Sequence, residues 1–161
     1  MNTITAPTYD QINRQACPYP GFLLPEGGTG LALFSAGFHG WNDVIHMARK
    51  NMTVTCVDTN ADKLWEMAQI YPQGWEFRVD DAWDFAENAV LDGREFDVVS
   101  VDPFLGDAAE RAWETMYLWV TLARKMVTLT VKTDTKLNIP SGWTADYFPR
   151  SHRAAWLVLT K

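Results

Sequence analysis

Short apolar segments alternate with amphipathic ones along most of the chain, which is typical of strands separated by helices. The apolar segments predict strands at 31–35, 53–58, 75–79, 96–102 and 126–131. Helical spacing between them predicts helices over 41–50, from 60 or 62 to 70, over 83–91 and over 108–124, the last being the longest. The closing segments 143–148 and 154–160 predict two strands around a turn at 149–152.

This alternation predicts the fold class. Strands that are separated by helices of 10–15 residues pair in parallel and carry helices on both faces of the sheet. We therefore expect an α/β, doubly wound, mostly parallel sheet of about seven strands, with an antiparallel hairpin at its C-terminal edge. Ligands of such sheets bind beyond the carboxyl ends of the strands, where the strand order reverses. The loops after Ser35, Asp58, Val79 and Asp102 are thus the candidate site.

The first 30 residues interrupt this pattern with prolines and glycines. We interpret residues 1–30 as an irregular arm or lid, with a short helix near 9–15, and residues 31–161 as one Rossmann-like domain. No run of about 20 apolar residues predicts a membrane span, and no basic segment followed by an apolar one predicts a secretory signal. The two cysteines, Cys17 and Cys56, form no metal motif, which favours a reducing cytoplasm.

Charge is distributed unevenly. The net charge is −6, with −11 on residues 1–123 (7 basic, 18 acidic) and +5 on residues 124–161 (7 basic, 2 acidic). The acidic body argues against extended duplex nucleic acid as a partner, because such binding depends on Lys and Arg. The basic C-terminal part is compatible with a small anionic molecule, an RNA element or an acidic protein, or with a solvated face that binds nothing.

The loop after the first strand is rich in small residues and glycine. It contains Ser35, Ala36, Gly37, Phe38, His39 and Gly40. Glycines allow a ligand to approach the backbone closely, and the following helix offers free N–H groups at its N-terminus. Asp58 ends the second strand 21 residues after Gly37, a spacing that suits a carboxylate binding the two hydroxyls of a ribose. Tight packing and helix capping are the alternatives for these positions.

The third and fourth loops add further polar groups. After the third strand, Asp80 or Asp81 could accept a hydrogen from an adenine amino group, or cap the next helix, and Trp83 could cover the adenine ring. After the fourth strand, the Asp102 carboxylate and nearby carbonyls could accept hydrogens from a substrate amine. Pro103 shapes this stretch of backbone, and Phe104 offers a face for stacking.

These loops carry a family resemblance in the segments 33–40, 57–58, 81–82 and 96–104. In order and spacing the segments resemble class I S-adenosylmethionine-dependent methyltransferases, and they look nearest to small bacterial enzymes that methylate the guanine N2 of ribosomal RNA. The resemblance covers residues 31–132, and segment 155–159 resembles the last antiparallel strand of that fold. It implies a Rossmann-like fold, S-adenosylmethionine as cofactor and methyl transfer, with an amino group among the possible acceptors.

The resemblance also implies a role for each loop. Residues 35–40 would hold the methionine end of the cofactor, Asp58 and Thr59 its ribose, and Asp81, Ala82 and Trp83 its adenine. The fourth loop would face the methyl group and the acceptor, with Asp102, Pro103 and Phe104 as catalytic residues and Asp102 also as a cofactor contact. No metal is implied.

Four positions depart from the pattern of the resembled family. Ser35 stands where an acidic residue is usual and His39 where a second glycine is usual. Phe104 stands in place of a second proline, and Leu105 in place of the aromatic residue that follows it. A second hypothesis is therefore a protein that keeps the fold without catalysis and acts as a binding or interaction module. A nicotinamide-dependent oxidoreductase is less compatible, since the sequence shows no second domain and no catalytic Tyr-Lys pair.

Overall fold

The computed structural model describes residues 2–5, 19–35, 42–71, 73–103, 106–151 and 154–161. In that part of the chain the strands are β1 (Asn2–Thr5), β2 (Thr29–Leu33), β3 (Thr53–Asp58), β4 (Glu76–Val79), β5 (Phe96–Val101), β6 (Ala123–Lys132), β7 (Lys136–Ile139), β8 (Thr144–Ser151) and β9 (Ala154–Thr160). The helices are α1 (Asn42–Arg49), α2 (Ala61–Ile70), α3 (Ala82–Leu91), α4 (Asp107–Glu114) and α5 (Met116–Leu122).

The main sheet has seven strands in the order β4-β3-β2-β5-β6-β9-β8. The pairs from β4 to β6 are parallel, and β9 pairs antiparallel with both β6 and β8. The chain winds outward from β2 to β4 on one side and from β5 on the other, so the strand order reverses between β2 and β5. The predicted fold class, including the antiparallel C-terminal hairpin, is confirmed.

Helices cover both faces of this sheet. Leu31 and Leu33 of β2 pack in the cluster that contains α3, α4 and α5, whereas Ala32 between them packs with α1 and α2. The strands can be apolar at nearly every position because side chains that alternate between two faces are buried on both. None of the helices in the described residues combines the length and the apolar character that crossing a bilayer requires.

The predicted helix over 108–124 is wrong in its extent. It divides into α4 and α5 at Thr115, whose backbone leaves the helical region (φ −99°, ψ 24°). The Thr115 hydroxyl donates to the Arg111 carbonyl at 2.7 Å and accepts the indole N–H of Trp83 at 3.0 Å. A threonine that bonds back to the preceding turn bends a helix, and here a tertiary partner holds that geometry. The chain then enters β6 at Ala123 without a loop.

Two strands of the structure are absent from the predicted set, and several strand boundaries differ. β1 lies within the segment predicted to be irregular and pairs antiparallel with β7, which alternates exposed and buried residues over only four positions. β2 begins at Thr29 and ends before Phe34, two residues earlier than predicted at each end. β8 continues through Pro149 to Ser151 where a turn was predicted, because a proline is tolerated on an edge strand at a register irregularity. Whether residues 1–30 act as an arm or lid remains a prediction.

Replacing Trp119 with alanine tests the core on the α3–α5 face. Its side chain is fully buried and its indole N–H donates to the Ala112 carbonyl at 2.6 Å. We expect Trp119→Ala to lower the free energy of unfolding by about 3–5 kcal/mol in urea titration, from lost burial and the cavity left behind. The control is Trp65→Ala, where the side chain is 67% exposed and we expect a change within about 0.5 kcal/mol. Equal effects of the two substitutions would contradict this packing.

Candidate functional site

The four predicted site loops begin side by side at the carboxyl edge of the sheet. Hydrogen bonds continue the parallel ladders beyond the strands: the Asp80 N–H donates to the Asp58 carbonyl at 3.1 Å, and the Asp102 N–H to the Leu33 carbonyl at 3.4 Å. The Ser35 N–H donates to the Val57 carbonyl at 3.3 Å. The row from Asp80 to Asp102 crosses three strand spacings, about 14 Å. The structure therefore brings these predicted residues together.

The first loop begins with a sharp change of backbone direction. Phe34 adopts a left-handed conformation (φ 60°), which is unfavourable for a bulky residue and often marks a functional site. Ser35 follows it, 2% exposed, with its hydroxyl donating to the Val57 carbonyl at 3.3 Å. The rest of the predicted loop lies outside the described residues: Ala36, Gly37, Phe38, His39 and Gly40.

The second loop presents the carboxylate of Asp58 at the end of β3. Asp58 is half-buried, and its Oδ1 accepts the N–H of Asn60 at 2.9 Å. Asn60 in turn caps α2 by accepting the N–H of Lys63 at 3.1 Å. This tight turn orients Asp58 at the sheet edge and leaves Thr59 exposed beside it. The loop geometry thus does not depend on a long flexible connection.

The third loop uses Asp81 as the N-cap of α3. Its Oδ1 accepts the N–H groups of Trp83 at 2.9 Å and Asp84 at 3.1 Å, while the Oδ1 of Asp80 accepts the N–H of Asp81. The capping alternative is therefore observed for Asp81. Both cap bonds use one carboxylate oxygen, so among the described residues the cap does not occupy Oδ2.

Trp83 lies in the core rather than at the surface, with only 5% of its area exposed. Its ring meets Phe34 edge-on with a centroid separation of 5.4 Å, which links the third loop to the first. The Arg111 guanidinium lies 4.0 Å from the ring centroid, a cation–π geometry. Neighbouring Ala82 is also buried. A role for Trp83 in covering an adenine ring remains a prediction.

The fourth loop places Asp102 directly after β5. Its Oδ1 accepts the Thr130 hydroxyl of β6 at 2.9 Å, and the side chain is half-buried. Pro103 beside it is buried, which fixes the backbone of the loop where it leaves the sheet. The third predicted catalytic residue, Phe104, lies outside the described residues.

A buried polar cluster that was not predicted lies under Asp102, on the α1 face of the sheet. We define it as Tyr19, Asp43, Ser100 and Thr128. The Ser100 hydroxyl donates to Asp43 Oδ2 at 2.7 Å, and the Val44 N–H donates to Asp43 Oδ1 at 2.9 Å. Tyr19 and Thr128 share a hydroxyl–hydroxyl bond of 3.0 Å. The cluster therefore joins the segment before β2 to α1, β5 and β6.

Burial changes the acid–base chemistry of this cluster. Desolvation, followed by the nearby charge of Asp102, raises the pKa of Asp43 from 3.8 to about 7. Desolvation also raises the pKa of Tyr19, with Asp43 adding to the effect, and that of the Cys56 thiol. The tyrosine and the thiol are thus neutral, whereas Asp43 changes charge near neutral pH.

One sequence signal could have located this cluster. Ser100 on β5 and Asp102 just after it, and Thr128 and Thr130 on β6, are polar residues two positions apart within the apolar segments 98–103 and 126–131. Residues two apart share one face of a strand, so the pattern marks a polar stripe on a buried face. Asp43 itself gives no such signal, because an acid in the first turn of a helix is usually a solvated partner of the helix dipole.

Comparison with known proteins gives relatives by structure alone: the chain matches no protein family and no curated protein. A "putative sam-dependent methyltransferase" from Streptococcus mutans superposes with a TM-score of 0.64 and 11% identity, over 84% of this chain and 45% of that one. A "putative methyltransferase" from Escherichia coli superposes with a TM-score of 0.65 and 14% identity, over 86% of this chain and 77% of that one. A "putative methyltransferase complexed with SAH" superposes with a TM-score of 0.58 and 12% identity, over 83% of this chain and 45% of that one. At these identities the likeness establishes a shared fold, and this chain spans less than half of the first and third proteins.

The raised pKa of Asp43 predicts an unusual dependence of stability on pH. The folded state favours the protonated carboxyl, so this contribution is complete below pH 3.8 and is lost as the pH rises through about 7. Over that window it should lower the free energy of unfolding by up to about 1.4 kcal/mol per pH unit. Urea titrations between pH 5 and 8 should show this slope in the wild type and lose it in Asp43→Asn. A matched control, Asp92→Asn at an exposed helix end, should keep the slope; an unchanged slope in Asp43→Asn would refute the assignment.

Proposed function

We propose that this chain binds S-adenosylmethionine at the carboxyl edge of its sheet and transfers the methyl group to an acceptor. The observation that carries the proposal is the row formed by Asp58, Asp80, Asp81 and Asp102 at the carboxyl ends of the parallel strands β3, β4 and β5, which lie on both sides of the point where the strand order reverses. In open α/β sheets this is where nucleotide-like ligands bind.

The chemistry of the row fits this cofactor. S-adenosylmethionine carries a sulfonium and an ammonium group against one carboxylate, so its net charge is positive, and carboxylates attract it. Its ribose hydroxyls and adenine amino group are hydrogen donors, which require acceptors such as the carboxylates of Asp58 and Asp81. A row about 14 Å long accommodates an adenosine joined to an amino acid in extended form.

Each loop has a proposed part in binding. Asp58, with Thr59 beside it, holds the ribose, while the Asp81 carboxylate and the Ala82 backbone face the adenine, together with Trp83. The turn at Phe34 and Ser35 directs the chain into residues 36–40, which would hold the methionine end. The SAH-bound protein of the same fold supports a cofactor of this class, although that ligand is known for that protein and not for this chain.

The proposed reaction is an in-line displacement, for which the cofactor supplies an activated methyl group. The protein then contributes position and electrostatics rather than a covalent nucleophile. Asp102 orients an acceptor amine through its carboxylate, which Thr130 holds in place at 2.9 Å, and can take the proton released when the new bond has formed. Pro103 shapes the backbone on the acceptor side, and Phe104 is the third residue proposed for this loop. We propose further that the acceptor is an amino group, which could belong to a small molecule, an RNA element or a protein.

The competing proposal is a binding module that keeps the fold without catalysis. It rests on the departures at Ser35, His39 and Leu105, and the described residues add no observation in its favour. The two proposals separate by what the purified chain binds, because the methyltransferase requires the cofactor and the module does not.

Calorimetric titration with S-adenosylmethionine and S-adenosylhomocysteine is the direct test. We expect the wild type to bind both, and Asp58→Asn to bind at least about 10-fold more weakly. A hydrogen bond to a charged group contributes about 1.5–3 kcal/mol, and every 1.4 kcal/mol is tenfold in affinity. Asparagine can still accept the N–H of Asn60, so the turn that orients residue 58 is kept.

The matched control is Asp62→Asn, which removes the same charge four residues later on an exposed position of α2. We expect it to bind both ligands as the wild type does. Failure of a folded wild-type sample to bind either ligand would refute the methyltransferase proposal and favour the binding module. Equal weakening by both substitutions would mean that net charge, rather than a contact at Asp58, governs affinity.

A further inference from the structure

Asp43 is an acid that the fold isolates from water and from compensating cations. It is 2% exposed, and its carboxylate accepts hydrogens from the Ser100 hydroxyl and the Val44 N–H. No Lys, Arg or His forms an ion pair with it among the residues that the structure describes. Two neutral donors do not offset the cost of a fully buried charge, so the protonated form is favoured in the ligand-free protein.

Asp43 is also coupled to the proposed acceptor site. Ser100, which holds Asp43, lies two residues before Asp102 on β5, and residues two apart on a strand share a face. The partners of these residues on β6, Thr128 and Thr130, repeat the same spacing, so the polar stripe runs continuously to the carboxyl edge. The charge of Asp102 at the end of this stripe adds to desolvation in raising the pKa of the more buried carboxyl, Asp43.

Among the residues that the structure describes, the other titratable groups near Asp43 do not supply a positive charge. Tyr19 comes from the segment before β2, Cys56 from β3 and Tyr71 from the end of α2, and burial raises the pKa of each of them. The ring centroid of His46 on α1 lies 5.8 Å from that of Tyr19, with the two rings tilted, and desolvation and Arg49 lower the pKa of His46. A cationic ligand at this stripe would therefore add a positive charge that these groups do not provide.

We infer that a cationic ligand at the carboxyl end of β5 displaces the proton from Asp43, so that binding of S-adenosylmethionine is coupled to proton release into solvent. This inference rests on the proposed function. The positive sulfonium and ammonium groups attract a carboxylate, and this Coulomb attraction is strong at a partly buried site. The bound cofactor therefore favours the charged form of Asp43. S-Adenosylhomocysteine has a neutral thioether in place of the sulfonium, so it should displace less of the proton.

The coupling is measurable without any methyl acceptor. Titration calorimetry at pH 7 in phosphate and in Tris, whose ionisation enthalpies differ, yields the number of protons released on binding. At a pH near its pKa, Asp43 is about half protonated, so we expect release of up to about 0.5 proton with S-adenosylmethionine and a smaller value with S-adenosylhomocysteine. For one ligand, the difference between the wild type and Asp43→Asn cancels the contribution of the ligand's own α-amino group.

Substitutions assign the proton to one residue. Asp43→Asn should lose the part of the proton release with S-adenosylmethionine that comes from Asp43, whereas the exposed control Asp92→Asn should release as many protons as the wild type. Ser100→Ala leaves Asp43 in place but removes a donor that favours its charged form, so proton release should shift to higher pH. This second variant keeps the test decisive where Asp43→Asn does not fold.

The outcomes distinguish this inference from the proposed function. The inference would be overturned if S-adenosylmethionine binds with the same proton release in the wild type and Asp43→Asn, or with no release in either. The proposed cofactor site would be unaffected by that result. A folded wild-type protein that binds neither ligand would overturn both. Three results together would establish the coupling. S-Adenosylmethionine releases more protons from the wild type than S-adenosylhomocysteine does, Asp43→Asn loses this release, and Ser100→Ala shifts it to higher pH.

Discussion

The parallel pairing of β2 with both β3 and β5 is the constraint on which the rest of this molecule depends. Because β2 lies inside the sheet, its residues from Gly30 to Leu33 are buried, and the chain leaves the sheet at Phe34 through a left-handed turn. The same pairing places the ends of β3 and β5 on either side of that turn, so that Asp58 and Asp102 flank it. The helices follow from it too, since parallel strands require crossovers, and crossovers on both sides cover both faces.

Burial of polar groups is the second physical theme. The fold satisfies the donors and acceptors of Ser100, Thr128 and Tyr19 among themselves and with Asp43, which avoids most of the cost of removing them from water. No Lys, Arg or His among the described residues forms an ion pair with Asp43, and we propose that its protonation responds to what binds near Asp102. The same stripe of side chains thus stabilises the fold and contains the proposed ligand-sensitive group. Within that stripe, the free-energy cost of burying a charge falls on one carboxyl group, that of Asp43.

Where prediction from the sequence was wrong, a partner distant in the chain was decisive. Thr115 lies in a continuous helical pattern, and the pattern does not reveal that Trp83, 32 residues earlier, bonds its hydroxyl. β7 is a four-residue strand with an ordinary alternation, and its partner β1 lies more than 130 residues away. Pro149 is a turn signal in isolation, whereas in an edge strand its missing N–H has no ladder partner to lose.

The sequence by itself determined the period of each element, because alternation and helical spacing are local and follow from which side chains avoid water. It thereby determined the α/β class, the parallel sheet and the positions of Ser35, Asp58, Asp81 and Asp102 at strand ends. Only the tertiary structure decided which strands are neighbours, that Asp81 caps α3, and that Trp83 is buried under Arg111. It alone brought Asp43 against Ser100, 57 residues away, because desolvation and charge coupling depend on distances in space that no local pattern encodes.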